Sequence, residues 1–153
     1  MKIKITLVSL VMLCVVALIV YISFRTSEEL PTGPTLSLGD AVIHLEIADT
    51  EEKQALGLGG RESFPETAGM LFVFPVPDLY GSWMLGMRFS LDIVWLEANG
   101  DKFRVIDMKK NVSLDTYPEI FYPSAPTSYI LEINAGAAKK NGITLGSVLT
   151  FRE

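Results

Sequence analysis

The sequence predicts a mainly β fold with two short helices, a small β-sandwich or distorted barrel, preceded by one transmembrane helix. Three observations predict it. Ile5 to Phe24 run for twenty residues without a charge. About seven later segments of strand length either alternate or are wholly apolar, and Gly, Pro and Asn punctuate them. Only two stretches carry a capping residue at one end and glycine at the other, and both are short.

The apolar run comes first. As a helix it rises roughly 30 Å, the thickness of a bilayer's hydrocarbon core. Lys2 and Lys4 precede it, and Arg25, Glu28 and Glu29 follow it. It ends Val20-Tyr21-Ile22-Ser23-Phe24, with bulky side chains where signal peptidase needs small ones, so an uncleaved anchor over residues 1–25 is favoured over a removed signal. The basic start directs the N-terminus to the cytoplasm and the remainder outside. Residues 26–39, with Pro31, Gly33 and Pro34, read as a stalk. Residues 40–153 are the extracytoplasmic domain.

Within that domain Val42 to Ala48 alternate as a strand, with Ile43, Leu45 and Ile47 on one face and His44 and Glu46 on the other. Asp49 or Thr50 caps a short helix that Gly57, Gly59 and Gly60 stop. Met70 to Phe74 is apolar on both faces, a buried strand closed by Pro75. Trp83 to Leu85 makes a short strand and Leu91 to Ala98 a longer one. Asn99-Gly100 predicts a type I′ hairpin that returns Lys102 to Met108 antiparallel. Lys109 to Thr127 is irregular. Ser128 to Asn134 alternates again, Asn134 caps a helix over Ala135 to Asn141, and Val148 to Phe151 closes the chain.

Composition excludes several chemistries. Of 13 basic residues three lie at the anchor, leaving 10 against 18 acids, a net charge of about −8 outside. Such a surface repels phosphate backbones, so nucleic acid is not an expected partner. The single cysteine, Cys14, lies in the apolar run, and the single histidine, His44, lies on an outer strand face. The domain thus has no disulfide, no thiolate or multi-histidine metal site and no cysteine nucleophile. No metal and no cofactor are expected.

The pieces, in order, resemble the domain of unknown function 192 family. The residues that carry the resemblance are Ile47-Ala48-Asp49-Thr50, Gly57-Leu58, Arg61 and Gly69-Met70-Leu71-Phe72-Val73-Phe74. It continues through Trp83-Met84, Leu91-Asp92-Ile93-Val94, Tyr129 to Gly136, Gly142-Ile143 and Gly146. It spans about residues 41 to 151. The resemblance implies a small, mostly β fold of jelly-roll type, often exported or membrane-anchored, and no settled activity. The chain departs from the pattern at Leu85-Gly86, where the family carries a lysine and a polar residue after Trp-Met, and at Ser90, where it carries proline.

Asp92 is the most informative polar residue, because it sits in a strand apolar on both faces. A buried carboxylate needs a partner, and Arg61 or Arg88 could supply a bidentate one. Its two readings are a perturbed carboxylate lining a pocket and, the favoured one, an ion pair that pins a loop. Glu132 with Asp92 would form the two-carboxylate pair of a hydrolase, though a solvated strand glutamate is the commoner case. Trp83, Met84, Tyr80 and Met87 flank Gly81 and Gly86, as a platform for a saccharide or peptide or as core. The loop from Tyr117 to Pro126 forms either a binding lip or a cover over a sheet edge.

The expected binding residues are Arg61, Trp83, Met84, Asp92, Glu132 and Asn134, the last more readily a helix cap. The leading function is a non-catalytic binding or envelope-interaction module, tethered through residues 5–24. The alternatives are a hydrolase of an envelope polymer, using Asp92 and Glu132 with Arg61 placing an anionic group, and an assembly subunit pairing through an open strand edge.

Overall fold

The computed structural model describes residues 10–18 and 29–153. Residues 10–18 are helical, and no described helix is long and apolar enough to cross a membrane. The rest of the predicted span, 5–9 and 19–24, lies outside the described residues.

Nine strands form the domain: β1 (Thr35–Leu38), β2 (Ala41–Ala48), β3 (Ala68–Asp78), β4 (Ser82–Trp83), β5 (Leu91–Asn99), β6 (Lys102–Val112), β7 (Ile120–Phe121), β8 (Thr127–Asn134) and β9 (Val148–Arg152). Two short helices, α1 (Glu51–Leu56) and α2 (Ala137–Lys140), join them. Seven strands close a barrel in the order β1-β2-β3-β8-β5-β6-β9, and β4 pairs with β7 separately. The expectation of a sandwich or distorted barrel resolves to the barrel. Closure leaves its main sheet without the open edge that an assembly subunit would need. One pair, β2 beside β3, is parallel, because the connection through α1 returns the chain in the same direction; an all-antiparallel jelly roll has no such pair.

Two apolar clusters fill the molecule. The first takes residues from all seven barrel strands, including Leu36, Leu45, Leu71, Leu96, Val105, Leu131 and Leu149, and is therefore the barrel interior. The second covers the outer face of β3, β8 and β5 with Leu58, Phe64 and Met84 from the connecting loops. These three strands are buried on both faces, which explains their unbroken apolar runs. Gly69 is required inside: a Cβ there would lie 2.8 Å from Leu131 Cδ1 and 2.9 Å from Ile43 Cγ2.

Several boundaries differ from the sequence reading. Thr35–Leu38 belongs to the barrel and not to the stalk, pairing with both β2 and β9. Its two leucines alternate with Thr and Ser, the smallest pattern a strand can show. The β5–β6 hairpin pairs Asn99 with Lys102, so its loop is Gly100-Asp101. Gly100 alone of the two has positive φ, which is the type II′ pattern and not type I′. β3 continues beyond Pro75, its register with β8 shifting between Val73 and Asp78.

Candidate functional site

The crossover from β2 to β3 builds one wall of a cleft. Thr50 caps α1 by accepting from the Lys53 N–H at 3.3 Å. Gly57, with φ 51°, ends the helix, and Gly60 N–H donates to Gly86 O at 2.8 Å. A Cβ on Gly59 would approach Leu85 O to 3.2 Å, so glycine lets the two loops touch. The opposite wall is β4 with its flanks. Trp95 Nε1 donates to Tyr80 O at 3.0 Å, and Tyr80 stacks on Phe74 with centroids 3.7 Å apart. β4 is braced from behind by β7, whose Ile120 and the following Tyr122 pack on Gly81 where any side chain would collide. The irregular segment from Tyr117 to Pro126 is thus a buttress of the cleft wall: none of its residues lines the cleft.

The cleft encloses about 190 Å³ between these walls. Phe72, Phe74, Ile130 and Glu132 lie among its lining residues, with Trp83 and Leu85 from the β4 side. Trp83 is 49% exposed. Glu132 is only 6% exposed, and its Oε1 accepts from Ser82 Oγ at 2.7 Å. Burial pushes the Glu132 carboxyl up to about 7, against the Ser82 hydrogen bond, which pulls it down. Among the described residues only Oε1 has a protein partner, and no side-chain oxygen there is both buried and unpaired. Oε2 therefore opens on the cleft. Gln54, on the helix wall, spends its amide nitrogen on Val73 O at 2.8 Å and Ala48 O at 3.3 Å.

The sequence-predicted residues fall into two groups. Trp83 and Glu132 meet at the cleft. Met84 is buried in the outer cluster instead. Asp92 lies opposite Ile133 in the β5–β8 ladder, and Glu132 lies opposite Ile93. Opposed residues share a face and successive ones alternate, so the two carboxylates point to opposite sides of the sheet. They do not form a pair across one cleft.

Asp92 is fully buried, yet among the described residues its carboxylate is answered by backbone N–H groups and by no arginine. Oδ1 accepts from the Asn111 N–H at 2.7 Å and Oδ2 from the Ala138 N–H at 2.9 Å. Leu91 faces Val112 and Ile93 faces Lys109, so Lys110 and Asn111 form a bulge opposite Asp92. Asn111 takes a φ of 52° there. One carboxylate thus clamps a bulge of β6 to the first turn of α2, serving that turn as a cap from a distant strand. The expected cap, Asn134, is engaged elsewhere: its Nδ2 donates to Phe64 O at 2.9 Å and Pro65 O at 3.1 Å, fixing the loop before β3.

Arg61 forms a bidentate pair with Glu46, both contacts 2.7 Å, and lies 5.4 Å above the Phe64 ring. Arg88 pairs with Glu62. Both guanidiniums proposed for Asp92 are thus taken by carboxylates nearer to their own loops. Ser82 is the residue that sequence reasoning missed. A serine before Trp-Met carries no signal of its own; only the β4–β7 pairing turns it toward Glu132.

Among described residues no group of three or more His, Cys, Asp or Glu side chains could hold a metal ion. No curated protein matches the chain. Among solved structures, a protein of unknown function from Novosphingobium aromaticivorans is similar at 29% identity and a TM-score of 0.66, covering 78% of this chain and 83% of its own. A putative transcription regulator from Sinorhizobium meliloti shares the fold at 22% identity and a TM-score of 0.67, over 81% of this chain and 96% of its own. The model of the DUF192 family, described as Uncharacterized ACR, matches residues 35–151, from the first barrel strand to the last, and the chain belongs to that family.

Proposed function

We propose that the protein is a membrane-tethered binding module, held by residues 5–24 with its N-terminus in the cytoplasm, that presents its cleft outside the membrane to a saccharide or peptide ligand. The uncharged run and its basic start support the tether. The observation that carries the binding role is Trp83, a large aromatic left half exposed on the wall of a cleft that also holds a buried carboxylate. An aromatic face beside one well-placed polar group is the usual make-up of a small-ligand site.

The hydrolase reading draws no comparable support. It needs a second carboxylate near Glu132, and the cleft lining contains none among the described residues. The test is a thermal-shift screen of saccharides and short peptides against the full-length chain in non-ionic detergent. A ligand at a hundred times its Kd stabilises by about 2.7 kcal/mol, a shift of roughly 8 °C. Trp83→Ala should abolish that shift. If no compound raises the midpoint, or if Trp83→Ala leaves every shift intact, the binding role at this cleft is wrong.

A further inference from the structure

We propose that the cleft takes a primary ammonium group, seated between the Trp83 ring and the open Oε2 of Glu132. This rests on the binding role above and narrows it to one ligand chemistry. Among the described residues the lining has four aromatic side chains, Phe72, Phe74, Tyr80 and Trp83, one carboxylate, and no Lys, Arg or His. Aromatic faces carry negative charge density and attract cations, the more so where water is scarce. The carboxylate adds a full charge and a free acceptor for an ammonium N–H. Leu85, 49% exposed on the same lining, is apolar, so it offers Glu132 no cation to pair with.

Other ligand classes fit less well. A polyhydroxyl ligand needs several donors and acceptors, but Ser82 is bonded to Glu132 and the Gln54 amide nitrogen to two carbonyls. An anion would face a carboxylate with no neighbouring cation. A divalent metal needs several oxygen ligands, and one carboxylate does not supply them. The acidic balance of the whole chain, a formal charge of −5, draws cations toward it at long range.

Burial alone keeps Glu132 protonated up to about neutral pH. A bound ammonium compensates the buried charge and so binds with release of that proton. Among the described residues, Glu132 and Tyr80 are the only titratable side chains lining the cleft. Across the neighbouring strands Glu132 faces Met70 and Ile93, which do not titrate, and from β4 it meets Ser82. Glu132 therefore sets the pH dependence: affinity should rise roughly tenfold from pH 6 to pH 8, as the ionised fraction does about a midpoint near 7.

The experiment titrates the full-length chain, in non-ionic detergent, with cadaverine and with Nα-acetyl-lysine amide. It is read by calorimetry and by the fluorescence of Trp83, the exposed tryptophan of two, since Trp95 is fully buried. Binding of either probe, tighter at pH 8, supports the inference; the tighter probe tells whether a free amine or a peptide lysine is the better source. Glu132→Gln should lose binding at least tenfold together with its pH dependence, while melting no lower than wild type. Leu85→Lys, which gives the cleft its own cation, should also suppress binding. Equal binding of the Nε-acetylated, uncharged lysine derivative would overturn the ammonium assignment and leave the binding role standing. So would undiminished amine binding by Glu132→Gln. Silence from the amines alongside a hit in the saccharide and peptide screen has the same meaning, whereas silence in both removes the binding role as well.

Discussion

Removing the Asp92 carboxylate should strip a cap and a bulge anchor at once. In Asp92→Ala the Ala138 N–H, fully buried, loses its only acceptor, and the Asn111 N–H loses one that is partly accessible to water. An orphaned buried donor costs about 1–3 kcal/mol; taking about 2.5 for Ala138 and about 1 for Asn111 gives roughly 3.5 kcal/mol. At about 3–5 °C per kcal/mol for a domain of this size, the melting point should fall by roughly 10–18 °C. Asp92→Asn retains one acceptor oxygen and should lose about half of that. Thermal unfolding by circular dichroism measures both, and amide hydrogen exchange locates the damage at Ala138 and Asn111. Raising the salt concentration should not change the difference between variant and wild type, because among the described residues Asp92 is held by backbone N–H groups and not by a side-chain cation. If both variants melt within about 2 °C of wild type, or exchange at Ala138 is unaltered, the clamp is not what holds α2 in place.

The buried acid of the cleft makes a prediction of opposite character. Glu132 titrates near 7 in the folded chain against about 4.5 unfolded, so the folded state holds its proton longer. Its contribution is full below pH 4.5 and is lost as pH rises through 7, a loss of about 3 kcal/mol. Glu132→Gln should flatten that part of the stability–pH curve and melt higher than wild type at pH 8; a wild-type curve equally flat between pH 4.5 and 8 refutes the assignment. Gly69→Ala forces a methyl against three apolar side chains of the barrel interior and should cost about 1–3 kcal/mol by urea unfolding. Leu36→Ala empties a fully buried site in β1 and should cost about 2–5 kcal/mol, whereas a stalk residue would cost nothing measurable.

Much of the barrel was legible because its central strands announce themselves. Met70 to Phe74 and Leu91 to Leu96 are apolar on both faces, and burial on both sides is the only environment that tolerates this. Asp92 was legible as a buried acid for the same reason. Its partners were not. Sequence offers arginines as charges to be paired, but backbone N–H groups at a bulge and a helix start exist only once the chain has folded. β1 escaped notice because four residues leave too short a period to tell from a stalk. Glu132 looked like a solvated strand residue, since nothing local shows that the distant loops carrying Leu58, Ser82 and Met84 roof its face of the sheet. The sequence leaves Trp83 balanced between platform and core; in the fold its neighbour Met84 takes the core position.

The pairing of β1 with β9 has a consequence for how the molecule assembles. These strands stand at opposite ends of the domain sequence, with Thr35 registered against Arg152. No partial chain can therefore seal the wall: until β9 arrives, β1 and β6 each present a raw flank able to recruit a stranger. Contacts separated by more than a hundred residues also form late and slowly, since the intervening loop must be drawn in first. The same seam that completes the barrel is therefore also the step that sets when it can close.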